Sequence, residues 1–200
     1  WHGLVYSAPK GINYLAQYAE QYDTVEIDRW FWSLFGEDSI GLPDPADVER
    51  YRSAVPEDFV FTVKAPNSIT LTHFYRKQKT EPMKENPHFL SPSLLGTFLA
   101  LLDPLGATLG PVMLQFGYLN KKMVDSQEAF QEHLQAFSQQ MPGGYQYGVE
   151  VRNARYLNRS YFTFLSRNKL SPVLLQGYWI PPISDIYADW SDLIAQHEAI

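Results

Sequence analysis

Cysteine is absent from all 200 residues. That excludes disulfides, thiolate metal ligands and cysteine nucleophiles, and it fits a cytoplasmic protein. No apolar run approaches the ~18 residues that a membrane-spanning helix needs, and no signal-peptide pattern opens the chain. Positive charge is in short supply: the formal net charge of −6 argues against a broad phosphate-binding surface, although it leaves room for a local basic pocket. There is no Gly-rich dinucleotide fingerprint and no phosphate-binding P-loop, so no nucleotide cofactor is implied. Disorder is excluded by composition, since 45% of residues are hydrophobic and only 19% charged. A chain of this length can form one domain that buries about 70% of its unfolded surface. It opens on Trp1 and closes at Ile200 within a helical pattern, so we expect a single domain over 1–200 that is truncated at both ends.

What the chain does hold is organised around Asp23–Asp28, DTVEID. β-Branched residues and strict polar/apolar alternation predict a strand at 24–28. Successive strand side chains point to opposite faces, so Thr24, Glu26 and Asp28 share one face and Val25 and Ile27 the other. Two carboxylates on one face repel each other and call for cations, a metal, protons or water.

The rest of the chain alternates helix and strand. Helical spacing at 11–22 precedes the first strand, and the aromatic stretch 29–43 reads as a loop. Asp44-Pro45 starts a helix that stops before Pro56. FVFTVK predicts a strand at 59–64, followed by a long irregular stretch from 65 to 90. Ser91-Pro92 opens a helix that breaks near Pro104. VMLQF is a strand at 112–116, Ser126 caps a helix through Met141, and YGVEVR is a strand at 147–152. Asn158 caps a helix through about Lys169, PVLLQ is a strand at 172–176, YWIPPISD is an aromatic loop, and a last helix begins at Asp189. Such alternation is the signature of βα units and a parallel sheet.

Each strand has one apolar face and one that turns polar toward its C-terminal end. With the apolar faces against helices, Glu26, Asp28, Thr62, Lys64, Gln115, Glu150, Arg152 and Gln176 line a common interior. That is the pattern of a TIM-type (β/α) barrel, whose active sites sit at the C-terminal mouth. An open doubly covered sheet would show near-continuous apolar runs instead.

TVEID with its aromatic run, FVFTVKAP with ITLTH, GPVMLQF and YGVEVRN, in this order and spacing, resemble the uncharacterised YecE-like family, also called domain of unknown function 72. The resemblance covers nearly the whole chain. It implies a TIM-barrel fold, with Trp1 just after the family's first strand and the seventh and eighth strands following Ile200. The family often has Asn at the position of Asp28, and commonly Arg-His where this chain has Arg152-Asn153. It carries no established reaction.

The candidate catalytic residues are Glu26, Lys64, His73, Glu150 and Arg152. A Lys in a barrel interior is a ready general base, Schiff-base amine or phosphate ligand, and a loop His suits proton transfer near neutral pH. Asp28, Trp30, Trp32, Gln115, Gln176 and Trp179 are the candidate substrate-binding residues, with the aromatics able to stack a sugar or a base. Three alternatives stand beside this site. Glu26 and Glu150 could form a glycosidase-like pair. Glu26, Asp28, Glu150 and His73 could hold a divalent metal. Lys64 and Arg152 could simply neutralise the interior carboxylates in a structural, non-catalytic scaffold. The expected partner is a small polar, sugar-like or phosphorylated ligand. Nucleic acid bound along the Arg76–Lys84 loop, which also carries Lys77 and Lys79, is the other reading. No membrane partner is expected, and the sequence leaves the oligomeric state open.

Overall fold

In the computed structural model, residues 1–76, 78, 80–177 and 179–195 are described; Lys77, Lys79 and Tyr178 lie outside them. The elements run α1 (Tyr14–Ala19), β1 (Thr24–Ile27), β2 (Leu34–Gly36), β3 (Ser39–Ile40), α2 (Pro45–Ser53), β4 (Val60–Lys64), α3 (Asn67–Thr70), α4 (Pro92–Leu101), β5 (Leu109–Phe116), α5 (Gln127–Ser138), β6 (Tyr147–Val151), α6 (Arg159–Arg167), β7 (Ser171–Pro172) and α7 (Ile183–Ile194). The helices that the sequence marks with a polar residue begin there. The side chains of Asp44, Ser91, Ser126 and Asn158 accept hydrogen bonds from the backbone N–H groups of Ala46, Leu94, Ala129 and Tyr161. Each satisfies a donor that the first helical turn leaves unpaired.

Five strands form one parallel sheet in the order β1-β4-β5-β6-β7. Neighbouring strands follow one another in the chain with helices between them, so the fold is α/β with repeated βα units. The sheet's apolar face, with Phe61, Val63, Val112, Leu114 and Val149 fully buried, packs against Val48 of α2, Phe98 of α4, Phe130 of α5 and Phe162 of α6. Each of these residues is 0% exposed, so the helix-covered side is the hydrophobic core.

A register shift in β5 sets which of its side chains leave that core. Phe61 pairs with Leu109 but Val63 pairs with Val112, so β5 carries one extra residue opposite Thr62. Gly110 lies in that bulge, where an added Cβ would stand 2.5 Å from Val60 Cγ1 and 3.1 Å from the Phe61 carbonyl oxygen. Only a residue without a side chain allows so close an approach.

Several boundaries differ from the sequence expectation. The stretch 29–43 is not all loop, because β2 and β3 form a small antiparallel hairpin within it. The strand expected at 172–176 is reduced to Ser171–Pro172, extended by one further bond from Val173 N–H to the Val149 carbonyl. Pro172 has no N–H to donate, which limits the ladder. The last helix begins at Ile183 instead of Asp189. The 65–90 segment is anchored by the short α3 and by a bridge between His73 and Glu85. Among the described residues, no helix is long and apolar enough to cross a membrane.

Candidate functional site

The face of the sheet turned away from the core carries Thr24 and Glu26 on β1, Thr62 and Lys64 on β4, Met113 and Gln115 on β5, and Gly148 and Glu150 on β6. All belong to the parity opposite to the core residues. The charged members lie toward the C-terminal strand ends and form two pairs. Lys64 Nζ stands 2.7 Å from Glu26 Oε1, with the two side chains 16% and 43% exposed. It also lies 6.0 Å from the centre of the Phe31 ring. Arg152 Nε stands 3.2 Å from Glu150 Oε1, and here the carboxylate is the buried partner at 6% exposure.

Gln115 sits between the pairs. Its Cα partner on β6 is Glu150, and Lys64 pairs with Met113 two residues earlier on the same β5 face. Gln115 is buried, and its Oε1 has no hydrogen-bond partner. Behind the sheet, Tyr161 donates from its hydroxyl to the Val149 carbonyl. Burial pushes its pKa far above the ordinary tyrosine value, and the charge of Glu150 adds to the shift.

Just beyond β4, Asn67 ties the strand ends together. Its Oδ1 accepts from Ser33 N–H at 2.9 Å, the Ser33 hydroxyl at 3.1 Å and Leu34 N–H at 3.1 Å. The Ser33 hydroxyl also lies 2.9 Å from Ser68 Oγ, and Asn86 donates to the carbonyls of Ser68 and Leu71. Tyr75 shares a side-chain hydrogen bond with Asn67, and burial raises its pKa against the opposing effects of that bond and of Arg152. On the β6 side, Asn153 grips the loop after β5, accepting from Leu119 N–H and donating to the Leu119 carbonyl, each at 2.8 Å.

The structure brings some of the expected site residues together and disperses the others. Glu26, Lys64, Gln115, Glu150 and Arg152 meet on one face. His73 lies in the loop after β4, its Nδ1 2.9 Å from Thr72 Oγ1, and is not tied to the charged pairs. Asp28 lies beyond the end of β1, lining a groove with Arg29, Arg50 and Tyr51. Trp30 packs into the core against Tyr51 at 5.4 Å, only 6% exposed and with its indole N–H unpartnered, so it does not face the polar cluster. Trp32 is exposed and stands 5.9 Å from Tyr75. Gln176 leaves the sheet: its Oε1 accepts from Ile183 N–H at the start of α7. Trp179 is 90% exposed at the rim of a cleft that also includes Arg152 and Tyr156. Among the described residues no three His, Asp or Glu side chains converge as a metal would require, so Glu26, Asp28, Glu150 and His73 do not form a ligand set. Glu26 and Glu150 stand three strands apart in the sheet. That separates their backbones by about 14 Å.

Sequence reasoning missed Asn67, Ser33, Ser68, Asn86 and Asn153. Their partners are mostly far along the chain, 34 residues away for both Asn67–Ser33 and Asn153–Leu119. The signal that was present is burial-prone Asn and Ser directly after strand ends.

Fold and site together define an α/β protein with a charged, partly buried cluster at the C-terminal ends of parallel strands. The family model described as protein of unknown function DUF72 matches residues 1–191, and the chain belongs to that family. Among solved structures it is similar to a DUF72 family protein from Enterococcus faecalis, with TM-score 0.63 and 20% identity over 90% of this chain and 59% of that one. A DUF72 family protein from Thermotoga maritima gives TM-score 0.57 and 22% identity over 91% of this chain and 62% of that one. The chain thus spans about three fifths of the length of these structures. No functionally curated protein matches it.

Proposed function

We propose that the chain is part of a TIM-type (β/α) barrel that binds, and acts on, a small polar ligand of sugar-like or phosphorylated type at the C-terminal ends of its strands. The observation that carries this reading is Gln115. A buried amide oxygen without a partner, between a Lys–Glu pair and an Arg–Glu pair, costs stability that a purely structural network has no reason to lose. A ligand hydroxyl or amide placed over β5 would supply the missing donor. In that complex Lys64 supplies the cationic contact or general base, Glu150 accepts hydrogen bonds from the ligand, and Arg152 holds the Glu150 carboxylate in place through its ion pair.

A thermal-shift screen of sugars and sugar phosphates, run beside Lys64→Met, tests the reading. A ligand at 100 times its dissociation constant adds about 2.7 kcal/mol, which raises Tm by roughly 5–10 °C for a domain of this size. The shift is expected to vanish in Lys64→Met. If no polar ligand shifts the wild type, the cluster is structural and the reading fails.

The exposed aromatics Trp32, Tyr75, Tyr118 and Trp179 favour a second reading, single-stranded nucleic acid stacked on the loops beyond the strand ends. It requires affinity that falls steeply with salt; a salt-independent or absent complex removes it.

A further inference from the structure

The loops after β4 and β5 enclose a second cleft, of about 410 Å³. Among the described residues its lining includes Arg76, Lys122 and His73 and no carboxylate, in a protein whose net charge is −6. Thr70 lines it too. That side chain is 1% exposed, yet its hydroxyl has no hydrogen-bond partner. His73 presents a ring whose Nδ1 is occupied by Thr72 Oγ1, which leaves Nε2 as the ring atom open to a ligand. Gly117 lines the cleft as well, and a Cβ added there meets nothing within 4 Å, so the space beside it is open.

Lys122, the His73 imidazole and the unsatisfied buried hydroxyl of Thr70 line an opening that no carboxylate among the described residues lines. Arg76, which donates to the Glu81 carbonyl, adds positive charge at the rim. Burial without a partner costs the Thr70 hydroxyl free energy that an oxygen-rich ligand would return. Lys122, the His73 ring and the Thr70 hydroxyl are three separate polar groups around the opening, and they match the three free oxygens of a phosphoryl group. We propose that this cleft is an anion site that holds a phosphate or the phosphoryl group of a phosphate monoester, with Lys122 and Thr70 as its principal donors. The site is separate from the Lys64–Glu150 cluster and stands whether or not that cluster binds a ligand.

The test is titration of the protein with inorganic phosphate at constant ionic strength, followed by calorimetry or phosphorus NMR. Saturable binding of one phosphate per chain is expected. Lys122→Ala should weaken it about tenfold, the loss of one charge-assisted hydrogen bond. Thr70→Val, which exchanges an unpartnered hydroxyl for a methyl of the same shape, should weaken it severalfold while leaving the fold intact. Gly117→Leu should block it by filling the open space. Lys121→Ala removes the same charge one residue away, outside the cleft lining, and should leave the affinity unchanged. The proposal is overturned by the absence of saturable binding. It is equally overturned if Lys121→Ala weakens phosphate as much as Lys122→Ala does, or if Thr70→Val and Gly117→Leu leave the affinity untouched.

Discussion

Lys64 and Glu26 meet at 2.7 Å, but the burden of burial falls on the lysine: its side chain is 16% exposed and that of Glu26 43%. In the Arg152–Glu150 pair the order is reversed, with the carboxylate at 6% and the guanidinium at 46%. Each pair therefore has one member in water and one withdrawn from it. Glu26→Gln is expected to cost about 1 kcal/mol or less, because the Lys64 ammonium it leaves without a carboxylate is 16% exposed and sits on a flexible stem that can reach water. Arg152→Gln should cost more, about 1–2 kcal/mol, since it leaves the buried Glu150 carboxylate without its cation. Urea unfolding of both variants checks the order, and equal losses would show that Glu150 is hydrated in the folded protein.

Gln115→Met replaces an unsatisfied buried amide with an apolar side chain of similar length. We expect it to raise stability by about 1 kcal/mol, because no hydrogen bond to Oε1 is lost. It should weaken any ligand held at the strand ends. A variant that is less stable than the wild type would mean that Oε1 has a bound partner in solution.

Asn67→Ala removes the acceptor shared by Ser33 N–H, the Ser33 hydroxyl and Leu34 N–H. The cost should be about 3 kcal/mol, because Ser33 is fully buried and its donors are left unpaired. Hydrogen exchange at Ser33 and Leu34 should speed up more than exchange in α5, which lies outside the network. Uniform acceleration would point to global unfolding instead of local release.

Tyr161 sets an alkaline limit. Its folded pKa is raised while its unfolded pKa is about 10. Below pH 10 both states are protonated and the group contributes no pH dependence. As pH rises past 10 the unfolded chain loses the proton and the folded one keeps it, so stability falls by about 1.4 kcal/mol per pH unit. Tyr147, raised chiefly by burial, adds to the same fall. In Tyr161→Phe the decline above pH 10 should be shallower by that amount; an unchanged slope would show that Tyr161 ionises freely in the fold.

The charged face was legible because strand alternation is local. Glu26, Lys64, Gln115 and Glu150 follow from parity within four short segments, and the caps at Asp44, Ser91, Ser126 and Asn158 follow from single residues. The shortening of the 172–176 strand was less legible, since Gln176 is drawn toward α7 by a backbone donor that no periodicity reveals. The β2–β3 hairpin was hidden inside aromatic loop composition, and Trp30 looked like a pocket wall because its burial against Tyr51 depends on where α2 packs. The Asn67–Ser33 network joins segments 34 residues apart, and such pairing leaves no spacing to read.

The bulge in β5 has a consequence for how this chain can change. Leu109 and Phe61 face the core together, and so do Val112 and Val63; the surplus residue between them resets the phase of everything downstream on that strand. Losing one residue there would rotate Gln115 in among the helices and turn Leu114 and Phe116 toward Lys64 and Glu150. Exchanging a side chain on β5 disturbs one position, whereas changing the count by one inverts them all. The cluster at the strand ends is held in place as much by arithmetic along the backbone as by the identity of the residues that compose it.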